Sequence, residues 1–241
     1  MKRAQKAYKN LDFLTSRQAR ALRILAEYQE PEKRFVDKNI KHTVVFFGSA
    51  RIGAEKEKSP RTHQYYQAAE KFAYKLAKWS HELAKNGDSF TICSGGGPGI
   101  MEAANRGAQH AHSFSIGLNI SLPHEQDPNE YITPELNFEF HYFFMRKLWF
   151  VFLARAMIIF PGGFGTMDEL MEVLTLVQTE KVTKKIAIVL YGTEYWNEVV
   201  DFDALVRWGT ITPADLALFY RSDDPEEAFT YLKGQLLTPP S

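Results

Sequence analysis

The chain has 241 residues, with Lys plus Arg and Asp plus Glu both at 29 and a formal net charge of zero. That length can bury the core of a full domain, and the balanced charge supplies no global field for nucleic acid or an anionic membrane surface. A hydrophobic share of 45% and a charged share of 24% fit an ordinary globular protein. No run of about eighteen apolar residues is present to span a bilayer. The single cysteine, Cys93, excludes an internal disulfide and fits a reducing compartment. The first residues lack the apolar region of a signal peptide, so a cytoplasmic location is expected, with neither nucleic acid nor membrane as partner.

The opening segment is basic (Lys2, Arg3, Lys6, Lys9, Arg17, Arg20, Arg23) and reads either as a solvated helix face or as a contact surface for anions. Leu14, Leu22, Ile24, Leu25 and Tyr28 among charges predict an amphipathic helix over 11–30, ending near Pro31. Residues 1–42 therefore read as a helical extension to a domain over 43–241. Thr43–Phe47 is a strand closed by the small-residue turn Gly48-Ser49-Ala50-Arg51. A helix from about Gln64 to Asn86 is expected to stop at Gly87. Phe90–Cys93 is a second strand, running into Ser94-Gly95-Gly96-Gly97-Pro98-Gly99 and a helix over Ile100–Gln109. Ser115–Ile120 is a third strand, followed by a polar loop, Pro123–Pro134, long enough to suggest function. Phe138–Tyr142 is a further strand, and Phe143–Arg155 a helix so apolar that full burial is expected. Ala156–Phe160 is a strand, then the turn Pro161–Gly165 and a helix through Leu170, Val173, Leu174 and Val177. A strand at Lys185–Leu190 and helices around Tyr195–Trp208 and Pro225–Leu236 close the chain.

Strands alternating with helices predict an α/β, Rossmann-like doubly wound parallel sheet with helices on both faces. Ligands of such sheets bind at the carboxyl ends of strands, near a topological switch point. The turns after Phe47, Cys93 and Phe160 all lie at such ends and should converge on one pocket.

Gly162, Gly163 and Gly165 let backbone N–H groups approach an anion at a helix N-terminus. Gly95, Gly96 and Gly97 read either as part of that ligand pocket or as tight strand-to-helix packing. Neither cluster has dinucleotide-fingerprint spacing, and no Walker-type phosphate loop occurs. Thr166 and Glu169 form T-x-x-E, which fits a capping box, a catalytic carboxylate in the first helical turn, or both. Arg146 and Lys147 open the apolar helix, where cations oppose the helix dipole. They call for an anionic partner, a phosphate or Glu169, or else reach solvent. His110 and His112 fall on different helix faces, so no metal site is expected there.

Ser94–Ala108, Met145-Arg146-Lys147 and the P-G-G-x-G-T-x-x-E run Pro161–Glu169 together resemble the LONELY GUY family, over roughly residues 43–210. Its members are cytokinin riboside 5′-monophosphate phosphoribohydrolases and related nucleoside-monophosphate nucleosidases, many labelled "possible lysine decarboxylase". Ser16–Tyr28 and the Phe47–Arg51 turn resemble its longer bacterial-type branch. The resemblance implies a nucleoside 5′-monophosphate substrate (AMP or a cytokinin ribotide), cleavage of its N-glycosidic bond, and no metal or organic cofactor. It implies Arg146 and Glu169 as the catalytic pair, with the 5′-phosphate on Gly162, Gly163, Gly165 and Thr166. Ser49, Gly95, Gly96, Gly97 and Lys147 would complete the substrate site. It further implies a homodimer, or a higher homo-oligomer, burying part of the apolar helix. One departure is the aromatic run His141–Phe144, in place of the more polar lead-in of plant members, which bears on base recognition. A non-catalytic carrier of nucleotide or molybdenum cofactor is the competing class on this fold.

Overall fold

A computed structural model describes residues 3–55, 57, 60–85, 88–122 and 127–237. The expected stop at Gly87 and residues 123–126 of the polar loop lie outside the described residues.

The strands are β1 (His42–Phe47), β2 (Phe90–Ser94), β3 (Ser115–Ile120), β4 (Asn137–Phe140), β5 (Ala154–Ile159), β6 (Ala187–Tyr191) and β7 (Tyr220–Ser222). They form one sheet in the order β4-β3-β2-β1-β5-β6-β7, every pair parallel. The chain winds outward from β1 through β2, β3 and β4, then returns to the other side of β1 for β5, β6 and β7. The switch point thus lies between β1 and β5, where a crevice opens at the carboxyl ends. β7, only three residues long, carries no periodicity that a sequence could reveal.

Alternation along β1 builds two cores. Val44 and Phe46 face the layer of α3 (His63–Ala84), α4 (Ile100–His110) and α9 (Pro225–Leu236), against Phe72, Leu76 and Ile100. Val45 and Phe47 face the opposite layer, against Phe150, Leu170 and Trp196. That layer holds α5 (Phe143–Phe152), α6 (Phe164–Gln178), α7 (Thr193–Val199) and α8 (Phe202–Arg207). Fully buried rings such as Phe46, Phe72 and Phe150 each contribute about 1.5–3 kcal/mol.

The N-terminal segment corrects one expectation. A short α1 (Leu11–Thr15) precedes α2, which runs from Arg20 to Asp37, straight through Pro31. Proline offers no N–H to the carbonyl four residues back. Here that carbonyl, on Glu27, accepts a hydrogen bond from Trp149 Nε1 at 3.0 Å. The Glu27 carboxylate in turn accepts from the backbone N–H groups of His141 and Tyr142, at 2.9 and 3.2 Å, just before α5. Phe35 then packs against Phe138 and Trp149, so α2 is part of the second core.

α5 corrects another. It ends at Phe152 rather than Arg155, and Ala154 and Arg155 belong to β5. The Lys184 ammonium donates to the carbonyls of Val151 and Phe152 at 2.7 and 2.6 Å, satisfying the helix end. Nor is the helix fully buried. Phe144, Leu148 and Phe152, four residues apart on one face, are 50, 37 and 49% exposed.

Candidate active site

At the switch point lies a cavity of about 660 Å³. The turns after β1, β2 and β5 all contribute to it, through Ser49, Gly95, residues 162–167 and Glu169. Backbone bonds join two of them directly: Ser49 N–H donates to the Pro161 carbonyl at 3.0 Å.

α6 begins at Phe164 with Gly163 as N-cap and no side-chain cap. Thr166 is therefore the third helical residue and Glu169 the sixth, one turn too deep to cap. The capping-box expectation fails, as does the placement of Glu169 in the first turn. What remains at this end is a row of N–H groups without intrahelical acceptors, facing a cavity, the arrangement that favours an anion. The Thr166 side chain fills the space beside Gly162, where an added Cβ would lie 2.5 Å from Thr166 Cβ. Gly163 and Gly165 have nothing within 4 Å of an added Cβ, so packing does not demand glycine there and the backbone simply stays open.

Arg146 enters from α5. Its Nε donates to the Leu118 carbonyl at 2.7 Å and one terminal nitrogen to the Gly95 carbonyl at 3.4 Å. These bonds fix the guanidinium plane and leave donors for a ligand. Gly95 makes the approach feasible, since an added Cβ would stand 2.5 Å from the guanidinium nitrogen and 2.7 Å from the Met101 sulfur. Burial pulls Arg146 below its ordinary pKa, with Glu169 opposing. Phe150 supports the cation with its ring centroid 5.0 Å away.

Glu169, from α6, is 7% exposed and lines the same cavity. Burial pushes its carboxyl up to about 7, against the charges of Lys147 and Arg146, with Glu172 and Asp168 adding to the rise. Desolvation therefore outweighs the neighbouring cations, each of which favours the ionised form.

Lys147 does not line the cavity. Its ammonium bridges Asp168 and Glu172 of α6 at 2.8 and 2.9 Å. Burial disfavours its charge, but those hydrogen bonds prevail and hold it above the ordinary lysine value. Gly96 and Gly97 also lie outside the lining. Asn129 Nδ2 ties both their carbonyls at 3.0 Å, and Gly96 N–H bonds Ser94 Oγ at 3.0 Å, so this half of the cluster shapes the turn.

Sequence reasoning overlooked the apolar wall, including Met101, Phe143, Phe150 and Val199, and a fourth strand-end contribution, Tyr195 after β6. Small residues had marked the other three exits. The β6 exit announces itself only by Gly192, three residues before Tyr195.

Sheet order, switch-point cavity and glycine turns define a doubly wound parallel α/β protein. A family model described as "Possible lysine decarboxylase" matches residues 101–232, so the chain belongs to that family, the LONELY GUY family. It is 26% identical over 209 residues to cytokinin riboside 5′-monophosphate phosphoribohydrolase LOG7 of Arabidopsis thaliana, covering 85% of this chain and 84% of the relative. Two solved structures share the fold. The structural-genomics target TM1055 has a TM-score of 0.55 at 20% identity, covering 80% of this chain and 99% of its own. A molybdenum cofactor carrier protein from Chlamydomonas reinhardtii has 0.51 at 16%, covering 82% and 99%.

Proposed function

We propose that the protein hydrolyses the N-glycosidic bond of a nucleoside 5′-monophosphate, AMP or a cytokinin ribotide, to free base and ribose 5-phosphate. The observation that carries this reading is the meeting of Arg146 and Glu169, from separate helices, over one cavity whose wall is the open N-terminus of α6. The 5′-phosphate rests on the N–H groups of that turn. Departure of the base builds positive charge on the sugar, as in glycoside hydrolysis. The ionised form of Glu169 stabilises that charge and takes a proton from the attacking water, whose oxygen joins the anomeric carbon as the base leaves with the electron pair of the broken C–N bond and takes up a proton from solvent. A carboxyl near 7 is well matched to such transfer at neutral pH. Arg146, tied to carbonyls rather than to Glu169, holds the substrate.

Lysine decarboxylation, which the family description suggests, is a poor fit. A pyridoxal Schiff base needs a lysine in the cavity, and among the described residues none lines it. The fold shared with the molybdenum cofactor carrier supports a second reading, a carrier that binds without turnover. A carrier has no use for a buried carboxyl poised near neutrality. We further propose a homodimer that covers the Phe144, Leu148 and Phe152 stripe of α5.

The test is a panel of nucleoside monophosphates assayed for ribose 5-phosphate release. Glu169→Gln and Arg146→Ala should each lose at least about 10²-fold in turnover while retaining fold. Unchanged turnover in both removes the pair from the mechanism, and nucleotide surviving overnight with the wild-type protein favours the carrier.

A further inference from the structure

We propose that Tyr195 is a positioning residue that sets the grip on the substrate's 5′-phosphate by fixing the Gly162–Gly163 peptide. The inference deepens the nucleoside-monophosphate reading and rests on it. Tyr195 Oη donates to the Gly162 carbonyl at 2.5 Å, and its side chain lines the same cavity as Arg146 and Glu169. In a planar trans peptide the C=O and N–H point in opposite directions. Drawing the Gly162 carbonyl toward the phenol therefore turns the Gly163 N–H away from it.

The neighbouring carbonyls are held in the same manner. Pro161 O accepts from Ser49 N–H at 3.0 Å, and Gly163 O accepts from Met167 N–H at 3.0 Å. Three successive carbonyl oxygens are thus occupied by protein donors. Any one of them swung into the cavity would repel a phosphate, whereas the N–H groups left over attract it. Two flanking glycines give this peptide more backbone freedom than its neighbours, and the phenol restrains it through the bond to the Gly162 carbonyl. Of the three donors only the phenol belongs to a side chain.

The tether is rigid. Tyr195 packs edge-on against Trp196 with ring centroids 5.1 Å apart. Trp196 is fully buried, and its Nε1 donates to the Tyr191 carbonyl at 3.0 Å. Burial raises the pKa of the Tyr195 phenol, which keeps it a donor across the working pH range.

Tyr195→Phe keeps the ring and removes only the hydroxyl. With AMP as probe, KM should rise about tenfold, the worth of one good hydrogen bond, while kcat changes by less than about twofold. Inhibition by ribose 5-phosphate should weaken by a similar factor, and kcat/KM for adenosine, which lacks the phosphate, should stay unchanged. Equal losses on AMP and adenosine would mark a merely structural role and overturn the proposal, as would unaltered KM and inhibition. If wild-type protein releases no base from any nucleotide, the nucleosidase reading fails separately. Calorimetric binding of AMP and adenosine to both proteins then decides. Weaker AMP binding with adenosine unaffected upholds the role of Tyr195, and equal AMP affinity, or no AMP binding by wild type, overturns it.

Discussion

Glu169→Gln should make the protein more stable at alkaline pH even as it removes turnover. Glu169 is 7% exposed, and its carboxyl is raised from an ordinary 4.5 to about 7, chiefly by burial. A carboxyl that titrates higher in the folded state than in the unfolded chain holds its proton more tightly when folded. Below about pH 4.5 both states are protonated and the group is neutral for stability. Between 4.5 and about 7 the unfolded chain ionises first and stability falls; above 7 the folded state carries the full burden of a buried anion. Ionising a carboxyl raised this far costs about 3 kcal/mol. Glutamine preserves shape and never ionises. Urea unfolding at fixed protein concentration should therefore show Glu169→Gln gaining about 2–3 kcal/mol more over wild type at about pH 8.5 than at about pH 5. The same difference at both pH values, or a loss of stability at pH 8.5, would refute the reasoning.

Lys147 is the strongest influence holding the Glu169 carboxyl down. Lys147→Met should move the Glu169 inflection in the pH profile of kcat/KM to higher pH, while Lys147→Arg should leave it nearly in place. Trp149→Phe removes the donor that replaces the N–H missing from Pro31, and should cost about 1–3 kcal/mol in urea unfolding. In a Pro31→Ala background that cost should shrink, because the introduced alanine can supply the N–H itself, and a double-mutant cycle reads the difference. Sedimentation at micromolar concentration should show a wild-type dimer and a Leu148→Glu, Phe152→Glu monomer; a monomeric wild type would refute the proposed dimer.

Strand alternation and glycine turns made the sheet and the convergence of its turns on one cavity legible, since both signals are local. The misreadings have both distant and local causes. Proline usually halts a helix, yet α2 continues past Pro31, and the Glu27 carbonyl left without its N–H is taken up by Trp149, far along the chain. T-x-x-E is a capping signature, but Gly163 opens α6 early and moves Thr166 and Glu169 inward. Arg146 and Lys147 read as a pair calling for an anion or else reaching solvent, yet adjacent helical positions point apart. One reaches the cavity and the other two carboxylates on α6. The raised Glu169 carboxyl depends on how completely the packed helices exclude water, which spacing cannot report.

Glu27 serves α5 with two different groups, its carbonyl on Trp149 and its carboxylate on the backbone just ahead of Phe143. The leader and the helix that presents the guanidinium are accordingly bolted into one unit. Grafting a foreign leader onto this domain would transfer helical shape but lose the bolt, unless an acidic residue arrived in register with Pro31. A trimmed or chimaeric protein should then lose alignment of Arg146 before it loses the sheet, so its first symptom would be slow turnover in a protein that still looks folded.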